Sequence, residues 1–135
     1  MISATIQKEI SFYDLDPMNV IWHGNYVKFL EDARCALLAK INYTYVDMKN
    51  ENRAYPIAKM NIKFLKPCTF GQKIDITAIL KEYESCLIID YQIVDSLTSE
   101  VILKGQTMQI CVDVITGKSV YNSSAKLIEG VQKYA

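Results

Sequence analysis

One stretch of apolar residues at helical spacing constrains the architecture of this chain more than any other feature. Its positions follow i, i+3, i+4, i+7, i+11 and i+15, the buried stripe of one long helix, and they are occupied by Tyr26, Phe29, Leu30, Ala33, Leu37 and Ile41. From Tyr55 onward the apolar period changes to two, which is typical of strands with one buried face. Only one helix is long enough to cover a sheet, so the sequence predicts strands wrapped around it.

The strands are expected to be antiparallel, because the connections between them are short. One strand is predicted before the helix, at 3–12, and four after it, near 58–64, 74–80, 87–93 and 102–114. The last strand is predicted to bend or bulge at Gly105 and to carry on one face Ile102, Met108, Ile110, Val112 and Val114. A polar connector is expected at 42–54, and Ser123 or Ser124 is expected to cap a short terminal helix. The predicted fold is α+β, a five-stranded antiparallel sheet around one central helix.

Length and charge indicate one globular domain, residues 1–135, with no nucleic-acid partner. A chain of 135 residues buries about two-thirds of its unfolded surface on folding, enough for one core. Lys plus Arg equals Asp plus Glu at 15 each, so no cationic excess exists to neutralise a phosphate backbone. No signal peptide and no run of 18 apolar residues is seen, so no membrane association and a cytoplasmic location are expected.

The segment just before the helix has the composition of a functional loop. Ten residues, 14–23, contain two aspartates, a proline, an asparagine and the chain's only tryptophan and only histidine. Such a loop places carboxylates beside a helix N-terminus, where backbone N–H groups lack intrahelical partners and the dipole is positive. Asn19 is expected in a left-handed conformation, and Asn25 is expected to cap the helix.

No metal and no cofactor are expected. The four cysteines, Cys35, Cys68, Cys86 and Cys111, are widely separated, show no C-x-x-C pairing and share the chain with a single histidine. They do not form a zinc site of recognised spacing and are expected to be small buried thiols.

The loop and helix resemble those of the hotdog-fold thioesterases, specifically the 4-hydroxybenzoyl-CoA thioesterase family and its Tol–Pal-associated short-chain acyl-CoA thioesterase branch. The resemblance covers nearly the whole chain and rests on Tyr13-Asp14-Leu15-Asp16, Val20-Ile21-Trp22-His23-Gly24-Asn25-Tyr26 and Phe29-Leu30-Glu31-Asp32-Ala33-Arg34. A weaker similarity follows in Phe64-Leu65-Lys66-Pro67. The chain departs from the family at Asn19, where glycine is common.

This resemblance implies hydrolysis of an acyl-CoA thioester to free acid and CoA. The family's catalytic acid falls on Asp16 and the histidine of its motif on His23. Backbone N–H groups at 23–25 are expected to hold the thioester oxygen, and the substrate is expected to contact Trp22, Gly24, Asn25 and Tyr26. The resemblance also implies an active site at a homodimer interface, with dimers often pairing into homotetramers.

The residues themselves leave several roles open. A free aspartate side chain is ionised at neutral pH, so Asp16 can act as nucleophile or general base, or it can be a turn residue before proline. For Asp14 the favoured interpretation is a solvated or turn-stabilising carboxylate. Glu31 is a secondary catalytic candidate, because a related hotdog family uses a helix glutamate, and otherwise forms a surface ion pair with Arg34. On the strand at 58–64 and just beyond it, Lys59, Lys63 and Lys66 either meet CoA phosphates or form a solvated edge.

Two other functions are compatible with this fold. One is a non-catalytic acyl-binding module that keeps the fold and an acyl pocket. The other is a hotdog hydroxyacyl dehydratase, which requires a histidine on a different element from His23 together with a helix carboxylate. Release of thiol from acyl-CoA without loss of water distinguishes a thioesterase from both.

Overall fold

The computed structural model describes residues 1–134. Its strands are β1 (Ser3–Glu9), β2 (Arg53–Ala54), β3 (Ile57–Phe64), β4 (Lys73–Glu82), β5 (Leu87–Asp95), β6 (Val101–Gln109) and β7 (Val112–Asp113). Its helices are α1 (His23–Lys40), α2 (Tyr45–Asn50) and α3 (Ala125–Tyr134), with a 3₁₀ turn at Phe12–Asp14.

A five-stranded antiparallel sheet in the order β1-β4-β5-β6-β3 packs around α1. The inward side chains of β4 and β5 alternate as predicted, and Ile74, Ile76, Ile89 and Ile93 are fully buried. The predicted α+β fold with a sheet around one helix is therefore confirmed. β2 and β7 form a separate two-stranded sheet that was not predicted. No helix among residues 1–134 is long and apolar enough to cross a membrane.

Helix α1 has the predicted buried stripe but begins earlier than expected. All the predicted stripe residues from Tyr26 to Ile41 are buried. The helix starts at His23 with Trp22 in the N-cap position, so the prediction that Asn25 caps the helix is wrong. The Asn25 side chain instead donates a hydrogen bond to the Asp14 carbonyl. The stripe also includes Arg34, which was expected on the surface.

Strand β6 is shorter than predicted and, apart from Ile102, which is buried as expected, presents the opposite face to the core. It ends at Gln109, and the chain then forms β7 as a separate strand beside β2. Thr107 and Gln109 are buried, whereas Met108 lies on the outer face. These polar residues are stabilised inside by partners from other elements: the Thr107 hydroxyl bonds the Tyr91 hydroxyl at 2.9 Å, and Gln109 Nε2 donates to the Tyr55 carbonyl at 2.7 Å.

Gly105 produces no bulge, so that alternative of the prediction is wrong. Pairing continues through it, opposite Tyr91 on one side and Ile62 on the other. The sheet's irregularities lie between other pairs, Ile57/Lys59, Leu80/Glu82 and Ile93/Val94.

Strand β3 is an edge strand with almost all of its side chains exposed. Within the part of the chain that the structure describes, it pairs only with β6, and seven of its eight residues are exposed, where a half-buried strand was expected. Its inward side chains include Met60 and Phe64, which are 37% and 53% exposed. The reason is that α1 packs against β1 and β4, at the other side of the sheet.

The remaining predicted elements are present with changed limits. β1 ends at Glu9, because the chain then enters the 3₁₀ turn. The polar connector contains α2. Ser124 Oγ accepts a hydrogen bond from Lys126 N at 3.1 Å at the start of α3, as expected of a cap. Of the four cysteines, Cys68 and Cys111 are buried, Cys86 is intermediate and Cys35 is exposed, which contradicts the expectation for Cys35.

Candidate active site

The loop before α1 is organised around the buried side chain of Asp14. Asp14 Oδ2 accepts a hydrogen bond from Ser11 N at 2.9 Å and lies 3.6 Å from Lys8 Nζ. The Asp14 carbonyl accepts from Trp22 N at 3.1 Å and from Asn25 Nδ2 at 2.9 Å. The Asp14 carboxylate thus stabilises the turn, which is one of the two roles expected for it. The Asn25 side chain connects the loop to the helix.

Asp16 lies on a tight turn closed by its own backbone. Asp16 N donates to Val20 O, and Asn19 N donates to Asp16 O, both at 2.9 Å. Asn19 has φ 63, so its predicted left-handed conformation is confirmed. Asp16 Oδ1 accepts from Met18 N at 2.8 Å, while no partner for Oδ2 is found in the chain from residue 1 to 134. The turn therefore orients the carboxylate through one of its two oxygens.

Asp16 and His23 line the same shallow pocket, of about 310 Å³. Tyr26 lines it as well, together with the last residue of β3 and the segment after it, Phe64 to Pro67. His23 is exposed. Tyr26 is buried, and its ring packs against Phe64 with centroids 5.6 Å apart. The structure therefore brings together three of the predicted site residues.

The buried Tyr26 phenol of this pocket and the neighbouring Cys68 thiol are uncharged near neutral pH. Burial, followed by the neighbouring Cys68 thiol, raises the pKa of Tyr26 well above its ordinary value. Burial likewise raises the pKa of the Cys68 thiol. Cys68 also anchors the loop, since its carbonyl accepts a hydrogen bond from Ile21 N at 3.0 Å. Neither side chain is suited to act as an anionic nucleophile near neutral pH.

The first turn of α1 presents backbone donors beside the pocket. The N–H groups of His23 and Gly24 have no intrahelical acceptor at the start of a helix, whereas Asn25 N already donates to Trp22 O at 2.9 Å. The Trp22 indole packs over Gly24 so closely that any Cβ there would overlap the ring. The Trp22 ring also lies beside the His23 ring, with centroids 5.4 Å apart and the planes tilted by 51°. Glycine is needed at this position for the indole to cover the helix start.

Four of the predicted site residues lie outside the pocket lining. Trp22, Gly24 and Asn25 shape the helix start around it, while Glu31 lies farther along α1. Eight residues separate Glu31 from His23, a rise of about 12 Å along a helix. The Glu31 side chain is exposed, and its nearest cation is Arg34 at 4.0 Å.

Residues 10–127 match the family model of the thioesterase-like superfamily. The chain belongs to this superfamily. Its predicted membership of the hotdog thioesterases is thereby confirmed, while the Tol–Pal branch remains a prediction.

Relatives and solved structures support this assignment. The chain is 25% identical over 105 residues to the putative acyl-CoA thioesterase YneP of Bacillus subtilis, covering 78% of this chain and 76% of that protein. The DHNA-CoA thioesterase of Staphylococcus aureus superposes with a TM-score of 0.82 at 26% identity, covering 90% of this chain and 81% of that one. A variant of 4-hydroxybenzoyl-CoA thioesterase complexed with 4-hydroxybenzoyl-CoA shares the fold, with a TM-score of 0.84 at 17% identity over 96% and 99% of the two chains.

One feature of this thioesterase-family chain, the buried Arg34, was missed by sequence reasoning. Arg34 Nε donates to the Tyr45 hydroxyl at 2.7 Å, and Nη1 donates to the Tyr91 hydroxyl at 3.1 Å. These bonds tie α1 to α2 and to the inner face of the sheet. The available signal was its position, eight residues after Tyr26 and therefore on the apolar stripe.

Proposed function

We propose that this protein hydrolyses an acyl-CoA thioester to the free acid and CoA. The observation that carries the proposal is the pocket that holds Asp16 and His23 beside the N-terminus of α1, in a chain that matches the thioesterase-like superfamily over residues 10–127. A thioester needs a nucleophile or activated water and a polarised carbonyl, because the thiolate leaves readily. The pocket contains a residue suited to each requirement.

In the proposed mechanism Asp16 Oδ2 is the reactive oxygen. It either attacks the thioester carbon directly, which expels the CoA thiolate and leaves a mixed anhydride that water then hydrolyses to the free acid, or it deprotonates a water that attacks the same carbon and expels the CoA thiolate. The negative charge that develops on the carbonyl oxygen is stabilised by the N–H groups of His23 and Gly24 and by the positive end of α1. The His23 imidazole positions the thioester, and the bond from Met18 N keeps the carboxylate aligned.

A panel of acyl-CoA substrates with thiol detection tests this function. Release of CoA from at least one member, with no loss of water from a 3-hydroxyacyl-CoA, is the expected result. Binding of acyl-CoA without turnover of any thioester would instead indicate an acyl-binding module. Loss of water from the hydroxyacyl substrate would indicate a dehydratase.

We also propose that residues 1–135 form one thioesterase domain that functions as a homodimer, or as a homotetramer of paired dimers. No strand among residues 1–134 pairs with the outer edge of β3, and this strand exposes large apolar side chains, including Met60 and Phe64. Such an edge favours pairing with another strand. The half-buried Ile88 on the outer face of the sheet offers a second contact for the tetramer.

Antiparallel pairing of β3 with its copy would complete the active site. The two ends of this eight-residue strand are about 23 Å apart. The Asp16 pocket adjoins the Phe64 end, and an apolar cleft of about 690 Å³, lined by Tyr55 and Pro56 among others, adjoins the Ile57 end. An antiparallel partner brings its cleft next to the first subunit's Asp16 pocket, where it can hold the acyl group.

Sedimentation at micromolar concentration tests the assembly, and a dimer or tetramer is expected. Met60→Lys and Phe64→Lys, which place charges on the exposed apolar face of β3, should shift the protein towards monomer and lower turnover together. A fully active species of 15.4 kDa would refute the shared site.

A further inference from the structure

Three lysines lie together on the outer face of the sheet at the β3 edge. Lys59 and Lys63 alternate with the inward residues of β3, and Lys104 projects from the neighbouring strand β6. All three are exposed, and they line one concavity of about 620 Å³. We call Lys59, Lys63 and Lys104 the lysine cluster.

The register of the sheet places two of these charges directly opposite each other. Lys63 pairs with Lys104 across the β3–β6 ladder. Like charges at directly opposite positions of neighbouring strands destabilise a sheet. This arrangement is unfavourable unless an anion lies between them.

No side chain among residues 1–134 provides an anion between Lys63 and Lys104. Asp90 is the carboxylate in the same concavity, but its Oδ1 accepts from Gln106 Nε2 at 2.7 Å and its Oδ2 faces Lys81 Nζ at 3.9 Å. Within residues 1–134 no member of the lysine cluster forms an ion pair. Lys66, by contrast, is neutralised by Glu100, so it is not a comparable anion site.

Lys63 and Lys104 of the lysine cluster lie at the same end of β3 as the Asp16 pocket, on the opposite face of the sheet. Lys63 immediately precedes Phe64, which lines the pocket. Adjacent residues of a strand point to opposite faces. A substrate arm that leaves the pocket past Phe64 therefore reaches Lys63 within one residue of the strand end.

We propose that the lysine cluster binds the phosphate groups of the CoA moiety, an inference that rests on the proposed thioesterase function and assigns the phosphate-binding residues to it. Lysine is a point-charge ligand for phosphate, and the phosphates relieve the repulsion between Lys63 and Lys104. When β3 pairs antiparallel with its copy, the residues that face outward in the two subunits lie on the same face of the joined sheet. A dimer would therefore join two such clusters into one cationic surface.

The test compares three thioesters of one acyl group, benzoyl or butyryl, whichever the wild type turns over faster. They are the CoA thioester, the 3′-dephospho-CoA thioester and the N-acetylcysteamine thioester, which has no phosphate. Lys63→Gln/Lys104→Gln is expected to raise KM for the CoA thioester about 10-fold, with a smaller rise for the dephospho form. Its kcat/KM for the N-acetylcysteamine thioester is expected to stay at the wild-type value.

Two further measurements separate ligand binding from a structural effect. Adenosine 3′,5′-bisphosphate should inhibit the wild type competitively against the CoA thioester, and salt should weaken this inhibition much less in the double variant. The melting temperature of the unliganded double variant should equal or exceed that of the wild type, because the like-charge pair is gone. Lys118→Gln, on an exposed turn, removes a charge elsewhere and serves as the matched control.

The possible results distinguish failure of the proposed phosphate site from failure of the proposed thioesterase function. If the double variant has an unchanged KM for the CoA thioester and the wild type turns it over, phosphate binding by the lysine cluster is refuted while the thioesterase function stands. An equal loss with all three thioesters also overturns it. Absence of turnover by the wild type with every thioester refutes the proposed function itself.

Discussion

Replacement of Asp16 by asparagine separates its chemistry from its role in the turn. Asp16 Oδ1 accepts one hydrogen bond, from Met18 N at 2.8 Å, and an asparagine amide oxygen can accept the same bond. The free energy of unfolding should therefore change little, whereas Asp16→Ala, which removes the bond, should lower it by about 0.5–1.5 kcal/mol. Asparagine can neither attack as a carboxylate nor take a proton from water.

We expect the turnover number of Asp16→Asn to fall by roughly 10²–10⁴ with only a modest change in substrate binding. The assay is thiol release under single-turnover and steady-state conditions, together with urea unfolding of the same preparation. A folded Asp16→Asn protein with turnover close to that of the wild type would refute the mechanism, and Glu31 would then be the next candidate.

Asp14→Asn and His23→Ala give the matched comparison. Asp14 is buried and bonded to Ser11 N, so its change should lower the free energy of unfolding by about 1–3 kcal/mol while the folded enzyme keeps most of its turnover. His23→Ala should reduce turnover by an amount between those of the two aspartate variants, because backbone donors provide most of the oxyanion stabilisation. A greater loss for Asp14→Asn than for Asp16→Asn would contradict these assignments.

Three further predictions concern stability. Arg34→Lys should lower the free energy of unfolding measured in urea by about 1–3 kcal/mol, since a lysine cannot reach both of its phenol partners; unchanged stability would mean that the network contributes nothing. Gly130→Ala should cost about 1–3 kcal/mol, because a Cβ there would overlap the Ile41 carbonyl, whereas its neighbour Glu129→Ala should be nearly neutral. The pKa of Asp95 is held below its ordinary value by hydrogen bonds from the backbone N–H groups of Thr98 and Leu97 and from the Gln72 side chain, so its stabilising effect is complete above about pH 4 and is lost as the pH falls through the lowered pKa. Acid unfolding followed by circular dichroism should accordingly be less steep in Asp95→Asn than in the wild type, and identical profiles would contradict this.

The sequence by itself determined the elements whose signal is local. The long helix, the antiparallel strands and the loop rich in polar and aromatic residues follow from spacing and composition alone. The left-handed Asn19 and the turn-stabilising Asp14 were predicted for the same reason, since their roles depend on neighbours within a few residues.

Only the tertiary structure decided which faces are buried and which distant residues meet. The period of two in β6 is compatible with either face, and partners on other elements, Tyr91 and Tyr55, select the face with Thr107 and Gln109. Arg34 is buried because phenols from two other elements bond its guanidinium. The Asp16 pocket likewise requires a segment that follows β3, about fifty residues farther along the chain. Such contacts depend on how the elements pack, and no local pattern encodes them.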